Sequence, residues 1–224
     1  MPVHVAFTPH DAAPAAVGIV VDVLRATSTI AQALASGYQR VLCCAEIDDA
    51  LALRAELPDS LLGGERKAVR VQGFDVGASP REFLEPRAAT LILSTTNGTR
   101  AILETAQRCE RVLLGSLLNL SAVARAAAGD DVVVVCAGFQ GGFALDDVYC
   151  AGRIVELIGG ERTHAAIAAA VLARAFPTAL DGLNARTYGP AGLEEDIAYC
   201  AQEDLLDVVP RLAQMVGPAA EIEV

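Results

Sequence analysis

The chain has 224 residues, of which 53% are hydrophobic and 20% charged, so it can bury a sizeable core and is not intrinsically disordered. Its formal net charge is −11, from 28 acidic and 17 basic residues, which argues against a nucleic-acid-binding surface because such a surface needs clustered cations. No apolar stretch reaches the roughly 18–20 residues that span a bilayer, and the N-terminus lacks the basic-then-apolar order of a signal peptide, so we expect a cytoplasmic protein without a membrane partner.

Short apolar segments, often β-branched and bounded by Gly, Pro, Asp or Asn, predict β-strands in the first two thirds of the chain. We predict strands at Val3–Phe7, Val17–Val21, Val41–Cys44, Leu61–Gly63, Ala68–Val71, Thr90–Leu93, Arg111–Leu114 and Val132–Cys136. The helices predicted between and after them are Ser28–Ser36, Ile47–Leu57, Ser79–Phe83, Thr99–Arg108, Leu120–Ala128, Leu145–Ile158, Thr163–Ala175, Leu193–Glu203 and Asp207–Met215. This alternation predicts an α/β fold, a layered α/β/α sheet structure with a helical C-terminal third and at most a short strand at Glu221–Val224.

Neither a linker nor a change in composition marks a boundary, so we expect a single domain over residues 1–224. The segments Val17–Thr29 and Thr90–Arg100 resemble each other, since each reads as an apolar strand, a polar turn and a helix. An internal duplication is one interpretation, and the pattern shared by all βα units is the other. The apolar, Ala-rich helices leave room for a homodimer.

Two predicted strands end in polar side chains directly before a predicted helix. Val17–Val21 is followed by Asp22-Val-Leu-Arg-Ala-Thr-Ser-Thr29, and Thr90–Leu93 by Ser94-Thr-Thr-Asn-Gly-Thr-Arg100. A helix N-terminus offers free N–H groups and a positive dipole, and ligands of open α/β sheets bind outside the carboxyl ends of the strands. The two junctions therefore predict a site for a small, negatively charged ligand.

At the first junction, Asp22 directly follows a buried strand, which is typical of a carboxylate that binds Mg²⁺ or acts as a nucleophile. The alternative is a helix cap, but the predicted helix begins several residues later. Arg25 with Thr27 and Ser28 can hold an anion beside this carboxylate, although a capping role is favoured for Ser28.

At the second junction, the hydroxyl, amide and glycine positions predict substrate-binding residues, because they let a backbone approach a ligand closely. These positions are Thr95, Thr96, Asn97, Gly98 and Thr99. The alternative interpretation is a simple Asn-Gly turn.

Further candidates lie in glycine-rich loops. Glu65 and Arg66 follow Gly63-Gly64 and either face a shared ligand or metal, or form a solvated ion pair. Asp75 is predicted as a metal ligand, and of Asp146 and Asp147 one is expected to cap a helix and the other to bind a cation. Because Mg²⁺ favours hard oxygen ligands and keeps several waters, Asp22, Asp75 and Asp146 or Asp147 can share one ion.

The motifs that the chain lacks narrow its chemistry. It has no G-x-x-x-x-G-K-[ST] segment, which excludes a P-loop nucleotide hydrolase. Leu24 replaces the second Asp that aspartate-nucleophile phosphatases require, and no cysteine is followed by an arginine six positions later, which excludes the cysteine-phosphatase loop.

In several of these segments the chain resembles the 2-phosphosulfolactate phosphatase family. The matching segments are Val20-Val-Asp-Val-Leu-Arg-Ala-Thr-Ser-Thr-Ile30, Leu62-Gly-Gly-Glu-Arg66, Gly73-Phe-Asp-Val-Gly77 with Ser79-Pro80, Ser94-Thr-Thr-Asn-Gly-Thr-Arg-Ala101, Gly115-Ser116 with Asn119, Val135-Cys-Ala-Gly138, Asp147 with Ala151-Gly152, Glu195-Asp-Ile197, Ala201-Gln202, Asp204 and Val209-Pro210. They run in order over almost the whole chain, which makes coincidence a poor explanation.

The resemblance implies an α/β fold of its own kind and Mg²⁺-dependent hydrolysis of 2-phosphosulfolactate to sulfolactate and phosphate, a step of coenzyme M synthesis. This chain has Ala78 where the family usually has Asn, and Asp146 where the family usually has Glu. Both departures can change how the substrate is held.

On this interpretation the catalytic residues are Asp22, Arg25, Glu65, Arg66 and Asp75. The carboxylates hold the metal, with Glu65 as a further ligand or general base, while the arginines and the Thr95–Thr99 loop bind the anionic groups of a small phosphorylated substrate. The sequence leaves open whether water attacks directly or a carboxylate forms a phosphoenzyme. The alternative function is a non-catalytic binding protein for a small anionic metabolite, although clustered carboxylates do not favour an anion as a ligand.

Overall fold

The computed structural model describes residues 1–186 and 193–224. The strands within these ranges are β1 (Pro2–Ala6), β2 (Ala15–Val21), β3 (Arg40–Cys43), β4 (Leu61–Arg66), β5 (Val69–Arg70), β6 (Thr90–Ser94), β7 (Cys109–Gly115), β8 (Val132–Cys136), β9 (Glu161–Arg162), β10 (Arg211–Val216) and β11 (Ala219–Glu223). They form one sheet in the order β5-β4-β6-β3-β11-β10-β7-β2-β8-β1-β9. The prediction of a layered α/β sheet structure is confirmed.

Helices connect most of these strands. In the same part of the chain they are α1 (Ala26–Ser36), α2 (Ile47–Glu56), α3 (Gly98–Ala106), α4 (Leu120–Ala127), α5 (Leu145–Ile158), α6 (His164–Arg174), α7 (Ala179–Asn184) and α8 (Glu194–Cys200). The segment predicted as a helix at Ser79–Phe83 is a short 3₁₀ turn over Pro80–Phe83. None of the helices in the described ranges is long and apolar enough to cross a bilayer.

The sheet consists of two parallel halves joined by an antiparallel hairpin. In one half β4, β6 and β3 run parallel, and in the other β7, β2, β8, β1 and β9 do so. Strands β10 and β11 lie between the halves, where β11 pairs with β3 and β10 pairs with β7, both antiparallel. Strand β8 has the sequence Val-Val-Val-Val-Cys and is buried throughout. Such a continuous apolar run is typical of parallel strands that are covered on both faces.

Helices cover both faces of the sheet. On one face α1 and α3 pack against apolar side chains from both halves, including Val20, Leu91 and Ile222. Every residue of α1 from Ala26 to Leu34 is buried, so this helix lies at the centre of that layer. On the opposite face α4, α5 and α6 cover the half that contains β2, and α2 covers the half that contains β6.

The predicted helix at Asp207–Met215 is wrong, because this segment forms β10 and the chain returns as β11 after a turn at Gly217. The strands that pair with this hairpin, β7 and β3, lie about a hundred residues or more earlier in the chain. A pattern search along the chain cannot detect such partners, since strand preference depends on what packs beside the strand. The C-terminal third is thus helical only until this hairpin begins.

Two strand ends that lie far apart in the sheet are connected by the segments that follow them. Four strands separate β2 from β6, a span of about 24 Å in a flat sheet. Yet the loops that follow these strands touch, since a Cβ placed on Gly98 would lie 2.6 Å from Oδ2 of Asp22. Helix α3, which follows β6, packs against β2 and β7, so its N-terminus meets the other half of the sheet.

Candidate active site

A cavity of about 330 Å³ lies at the carboxyl ends of β2, β4, β6 and β8. This is the position that the sheet topology favours for a ligand. Among the described residues, its charged lining consists of three carboxylates and three cations, which are Asp22, Glu65, Asp146, Arg25, Lys67 and Arg186. The residues after β2 and those after β6 both contribute to it, as the sequence predicts for an anion site.

Asp22 is held at the cavity by the turn that begins α1. Its backbone N–H donates to Oγ1 of Thr27 (3.1 Å), and its Oδ1 accepts from the N–H of Ala26 (3.2 Å). The carboxylate thus caps the first residue of α1 and also lines the cavity. The two interpretations from sequence, cap and functional carboxylate, apply to the same side chain.

The environment of Asp22 favours its protonated form. Burial first, and then the nearby carboxylates of Glu65 and Asp146, raise its pKa to about 7, against the lowering effect of the Ala26 N–H and of Arg25. A carboxyl group that changes charge near neutral pH beside a cavity is typical of functional sites.

Arg25 connects three parts of the site. Its Nη1 donates to Oδ2 of Asp196 (2.6 Å) and its Nη2 to the carbonyl of Ala68 (3.1 Å). Both side chains of the Arg25–Asp196 pair are nearly buried, and Asp196 also accepts from the hydroxyl of Ser79. Arg25 lines the cavity as predicted, with part of its charge already balanced by Asp196.

Thr27 and Ser28 are fully buried and bond to the backbone of their own turn. Thr27 Oγ1 donates to the carbonyl of Asp22 (3.0 Å), and Ser28 Oγ donates to the carbonyl of Val23 (2.8 Å). Neither is among the described residues that line the cavity. In this structure they support the Asp22 turn, and their contact with a substrate stays a prediction.

Some residues of the loop after β6 line the cavity, and others pack inside the protein and support the loop. Thr95, Thr96 and Asn97 line the cavity, whereas Gly98 packs directly against Asp22 and Thr99 is fully buried. Thr99 Oγ1 donates to the carbonyl of Thr95 (2.9 Å) and accepts from the Thr95 N–H (3.3 Å). Of the predicted set, the first three residues are therefore those that face the cavity.

Glu65 and Arg66 are neighbours in sequence with different surroundings. The carboxylate of Glu65 lines the cavity and accepts from the N–H groups of Thr96 (2.7 Å) and Ala68 (2.6 Å). Its two oxygens thus join the end of β4 to the loop after β6. The solvated ion pair with Arg66 is not formed, because the Arg66 guanidinium bonds to the carbonyl of Glu65 instead.

The guanidinium group of Arg66 donates its hydrogen bonds to other groups of the protein. Its guanidinium donates to the carbonyls of Ala45, Ser94 and Glu65 and to the hydroxyl of Ser94. It is not one of the cavity-lining residues in the described part of the chain. This geometry makes Arg66 a positioning residue that ties the end of β4 to the ends of β3 and β6.

Asp75 does not reach the cavity among the residues that the structure describes. Its Oδ2 accepts from the N–H of Leu62 (2.9 Å) and lies 3.6 Å from Nη2 of Arg54. The carboxylate therefore holds its loop against β4. Its role as a metal ligand stays a prediction to which this position adds nothing.

Asp146 and Asp147 begin α5 and are both nearly buried. Asp147 accepts from the N–H groups of Val23 (2.9 Å) and Gly138 (3.0 Å), so it joins the loops after β2 and β8. Burial and the charges of Asp146 and Asp22 raise its pKa well above the usual range. Asp146 lines the main cavity, and with Asp22 and Asp147 it borders a side compartment of about 30 Å³.

The predicted metal site requires three carboxylates that lie close enough together to bind one ion. Over residues 1–186 and 193–224, no group of three His, Cys, Asp or Glu side chains is placed to hold one ion. The predicted sharing of one ion by Asp22, Asp75 and Asp146 or Asp147 is therefore not assembled. Two carboxylates, Asp22 and Asp146, remain together at the cavity.

Sequence reasoning missed other residues of the cavity, including Lys67, Gln140 and Arg186. Lys67 is the only lysine in the chain and follows Glu65-Arg66 directly, which is a usable signal. Gln140 belongs to the glycine-rich segment after β8, where the carboxylates of Asp146 and Asp147 are the stronger sequence signal. Arg186 stands in no recognisable motif.

Comparisons with known proteins agree with the sequence pattern. The family model for 2-phosphosulpholactate phosphatase matches residues 4–215. A protein of Gloeobacter violaceus named "Probable 2-phosphosulfolactate phosphatase" is 42% identical over 205 residues, which cover 86% of this chain and 86% of that protein. A protein of the same name from Thermus thermophilus is 39% identical over 214 residues, covering 90% of each chain.

A third protein with this name, from Caldanaerobacter subterraneus subsp. tengcongensis, is 38% identical over 209 residues, covering 87% of this chain and 86% of the relative. The residues that match the family model include the segments that build the cavity, from Asp22 to Asp147. The chain therefore belongs to the 2-phosphosulfolactate phosphatase family, a family of phosphoric monoester hydrolases.

Proposed function

We propose that this protein is a Mg²⁺-dependent phosphatase that hydrolyses 2-phosphosulfolactate, or a closely related phosphorylated 2-hydroxy acid, to the hydroxy acid and phosphate. The observation that carries the proposal is the cavity in which the nearly buried carboxylates of Asp22 and Asp146 face cations and two helix N-termini. Family membership supplies the reaction class and the substrate named for the relatives. Sulfolactate, the product, is the compound that the resemblance connects to coenzyme M synthesis.

The charges of the cavity suit such a substrate. A phosphorylated sulfonated acid carries phosphate, sulfonate and carboxylate groups, and Arg25, Lys67 and Arg186 supply three cations. The helices α1 and α3 begin at Ala26 and Gly98, beside the cavity-lining Arg25 and Asn97, so their positive dipole ends favour an anion there.

Asp22 and Asp146 fit the proposed Mg²⁺ as far as their donor chemistry goes. Mg²⁺ usually binds through one or two carboxylates, several waters and substrate phosphate oxygens, and it does not need a cage of protein ligands. The two carboxylates lie beside a compartment whose size, about 30 Å³, is that of about one water or small ion. Bound there, Mg²⁺ would supply positive charge to the phosphoryl oxygens.

The other parts of the hydrolysis reaction involve side chains and backbone groups of this chain. Hydrolysis forms a bond from a water oxygen to phosphorus and breaks the ester P–O bond, whose oxygen leaves with the electron pair and takes up a proton. Arg25 and the backbone N–H groups at the start of α3 would stabilise charge on the phosphoryl oxygens. Asp22, with a pKa of about 7, can hold or give up a proton near neutral pH.

The experiment that tests this function is phosphate release from 2-phosphosulfolactate by purified, metal-stripped protein with and without Mg²⁺. 2-Phospholactate, phosphoglycolate and phosphoglycerate serve as comparison substrates. We expect turnover of the sulfonated substrate only when Mg²⁺ is present, together with a higher melting temperature on Mg²⁺ addition that Asp146→Asn abolishes. Turnover of a carboxylate analogue alone would change the substrate, and an absence of release from every compound would reject the phosphatase.

A further inference from the structure

The hairpin between β4 and β5 carries an unusual turn at the cavity. Its two turn residues, Lys67 and Ala68, have φ angles of 54° and 63°, between the paired residues Arg66 and Val69. Two-residue turns with both φ angles positive strongly prefer Asn-Gly or similar pairs, because most side chains clash in this backbone conformation. This chain has a side chain at both positions.

The strained turn is held in place by the site itself. The N–H of Ala68 donates to Oε2 of Glu65, and the carbonyl of Ala68 accepts from Nη2 of Arg25. The N–H of Lys67 points to the hydroxyl of Thr96 at 3.4 Å. Strained residues held by surrounding bonds concentrate at functional sites.

Lys67 brings to the cavity a cation that forms no ion pair within the described part of the chain. Its side chain is exposed, lines the cavity and forms no ion pair with any residue in the described ranges. By contrast, Arg25 at the same cavity is paired with Asp196. Since exposed ammonium groups are strongly hydrated point charges, Lys67 is placed to meet an anionic group without a preset geometry.

A second turn of the same kind borders the cavity. Gln140 and Gly141, between the bridged residues Phe139 and Gly142, also have positive φ angles, 52° and 78°. Gln140 is exposed and lines the cavity, as Lys67 does. The polar residues at the open side of the cavity thus stand on two strained turns, while the carboxylates of Asp22 and Asp146 lie at its buried side.

From this arrangement we propose that Lys67 binds the sulfonate group of the substrate and so selects for it over substrates that lack this group. The inference rests on the proposed function. With the phosphoryl group at the buried carboxylates, the groups that are not hydrolysed extend to the open side, where Lys67 offers an unpaired charge. Lys67 is then a residue for specificity, and the strain of its turn is the consequence of carrying a lysine there.

The test compares two substrates that differ only in the sulfonate, 2-phosphosulfolactate and 2-phospholactate. Lys67→Asn keeps a residue that tolerates the turn and removes the charge. We expect kcat/KM for the sulfonated substrate to fall about 10- to 100-fold, mainly through KM, with less than about a threefold change for 2-phospholactate. Lys67→Arg should retain most of the preference, and the melting temperature of Lys67→Asn should not fall.

The matched control is Arg70→Gln, which removes one positive charge from the same hairpin. Arg70 donates to the carbonyl of Asp75 and is not a lining residue of the cavity in the described chain. Its substrate preference should equal that of the unmodified protein. Equal losses for both substrates in Lys67→Asn, or a loss of preference in Arg70→Gln, would overturn the inference.

The inference can be judged even if the proposed function fails. If the unmodified protein releases phosphate from neither substrate, calorimetry with sulfolactate and lactate replaces the kinetics. Tighter binding of sulfolactate that Lys67→Asn removes would support the role of Lys67. Equal binding by both proteins, or no sulfolactate binding by the unmodified protein, would reject it.

Discussion

The junction from β2 to α1 and the junction from β6 to α3 use the same local hydrogen bonds. In the first, Thr27 Oγ1 accepts from the Asp22 N–H and donates to the Asp22 carbonyl. In the second, Thr99 Oγ1 makes the same two bonds with Thr95. A buried threonine thus closes each turn at the end of a strand.

The two junctions differ in what this shared frame presents to the cavity. The first presents the charged residues Asp22 and Arg25, whereas the second presents the uncharged Thr95, Thr96 and Asn97. The glycine of the second junction, Gly98, lies against the carboxylate of the first. One junction therefore supplies charged side chains to the cavity. The other supplies hydrogen-bond donors, and its Gly98 packs closely against the first junction. Whether the likeness reflects a duplication stays a prediction.

The largest difference should appear on neutralising the charged junction. Asp22→Asn keeps an oxygen that can accept from the Ala26 N–H, so the fold should persist, while the activity should fall about 10³-fold because the ionisable oxygen is lost. Phosphate release and circular dichroism measure the two effects. Asp75→Asn is the matched control and should keep nearly full activity, since Asp75 bonds to Leu62 and Arg54. Full activity in Asp22→Asn would remove Asp22 from the chemistry.

The second largest loss of activity should come from adding a methyl group between the two junctions. Gly98→Ala places a Cβ 2.6 Å from Asp22 Oδ2 and against the Cβ of Ala26, so the junctions must separate. We expect about a 10²-fold loss of activity and a destabilisation of about 1–3 kcal/mol, measured by kinetics and urea unfolding. Adding Ala26→Gly removes one of the clashing groups and should recover part of the activity. An unaffected Gly98→Ala protein would show that the contact is not needed.

The charged junction should also make stability depend on pH, which the uncharged one cannot do. The pKa of Asp22 is raised to about 7 in the folded protein and that of Asp147 is raised as well, so the folded state binds more protons than the unfolded state above about pH 4. The stabilisation is therefore present at low pH and is lost as the pH rises toward 7, by up to about 1.4 kcal/mol per pH unit and group. Urea unfolding of metal-stripped protein between pH 4 and 8 measures this slope. A slope that is no smaller in Asp22→Asn would exclude Asp22 as a source.

The smallest effects should come from the threonines that the junctions share. Thr27→Val and Thr99→Val each remove a hydroxyl and leave a buried N–H without its acceptor, so each should destabilise by about 1–3 kcal/mol. Thr27→Ser and Thr99→Ser keep the hydroxyl and serve as controls. Urea unfolding measures all four variants. A loss confined to one junction would contradict the equivalence of the two frames.

Local patterns predicted strands β1 to β8, most helices and the two junctions, because short-range periodicity and turn residues carry that information. They also predicted that Asp22, Arg25 and Thr95–Asn97 lie near one another, and these residues line one cavity. Thr27, Ser28 and Arg66 bond to backbone carbonyls in the folded protein, and their contact with a ligand stays a prediction, because hydroxyl and guanidinium groups that suit an anion suit backbone carbonyls equally well. Only the positions of those carbonyls in the folded protein distinguish the two uses.

The chain's composition and periodicity were enough to establish an α/β sheet whose strand ends bear a polar site, since each strand and each βα turn is specified by neighbouring residues. Three features depended on residues far apart in the chain: the insertion of β10 and β11 between the two halves, the contact of Gly98 with Asp22, and the separation of Asp75 from the cavity. These features arise from pairing and packing across more than a hundred residues or between different strands. For that reason no local sequence pattern could predict them. In the same way, Lys67 lies at the cavity because the β4–β5 hairpin is held against Arg25 and Glu65.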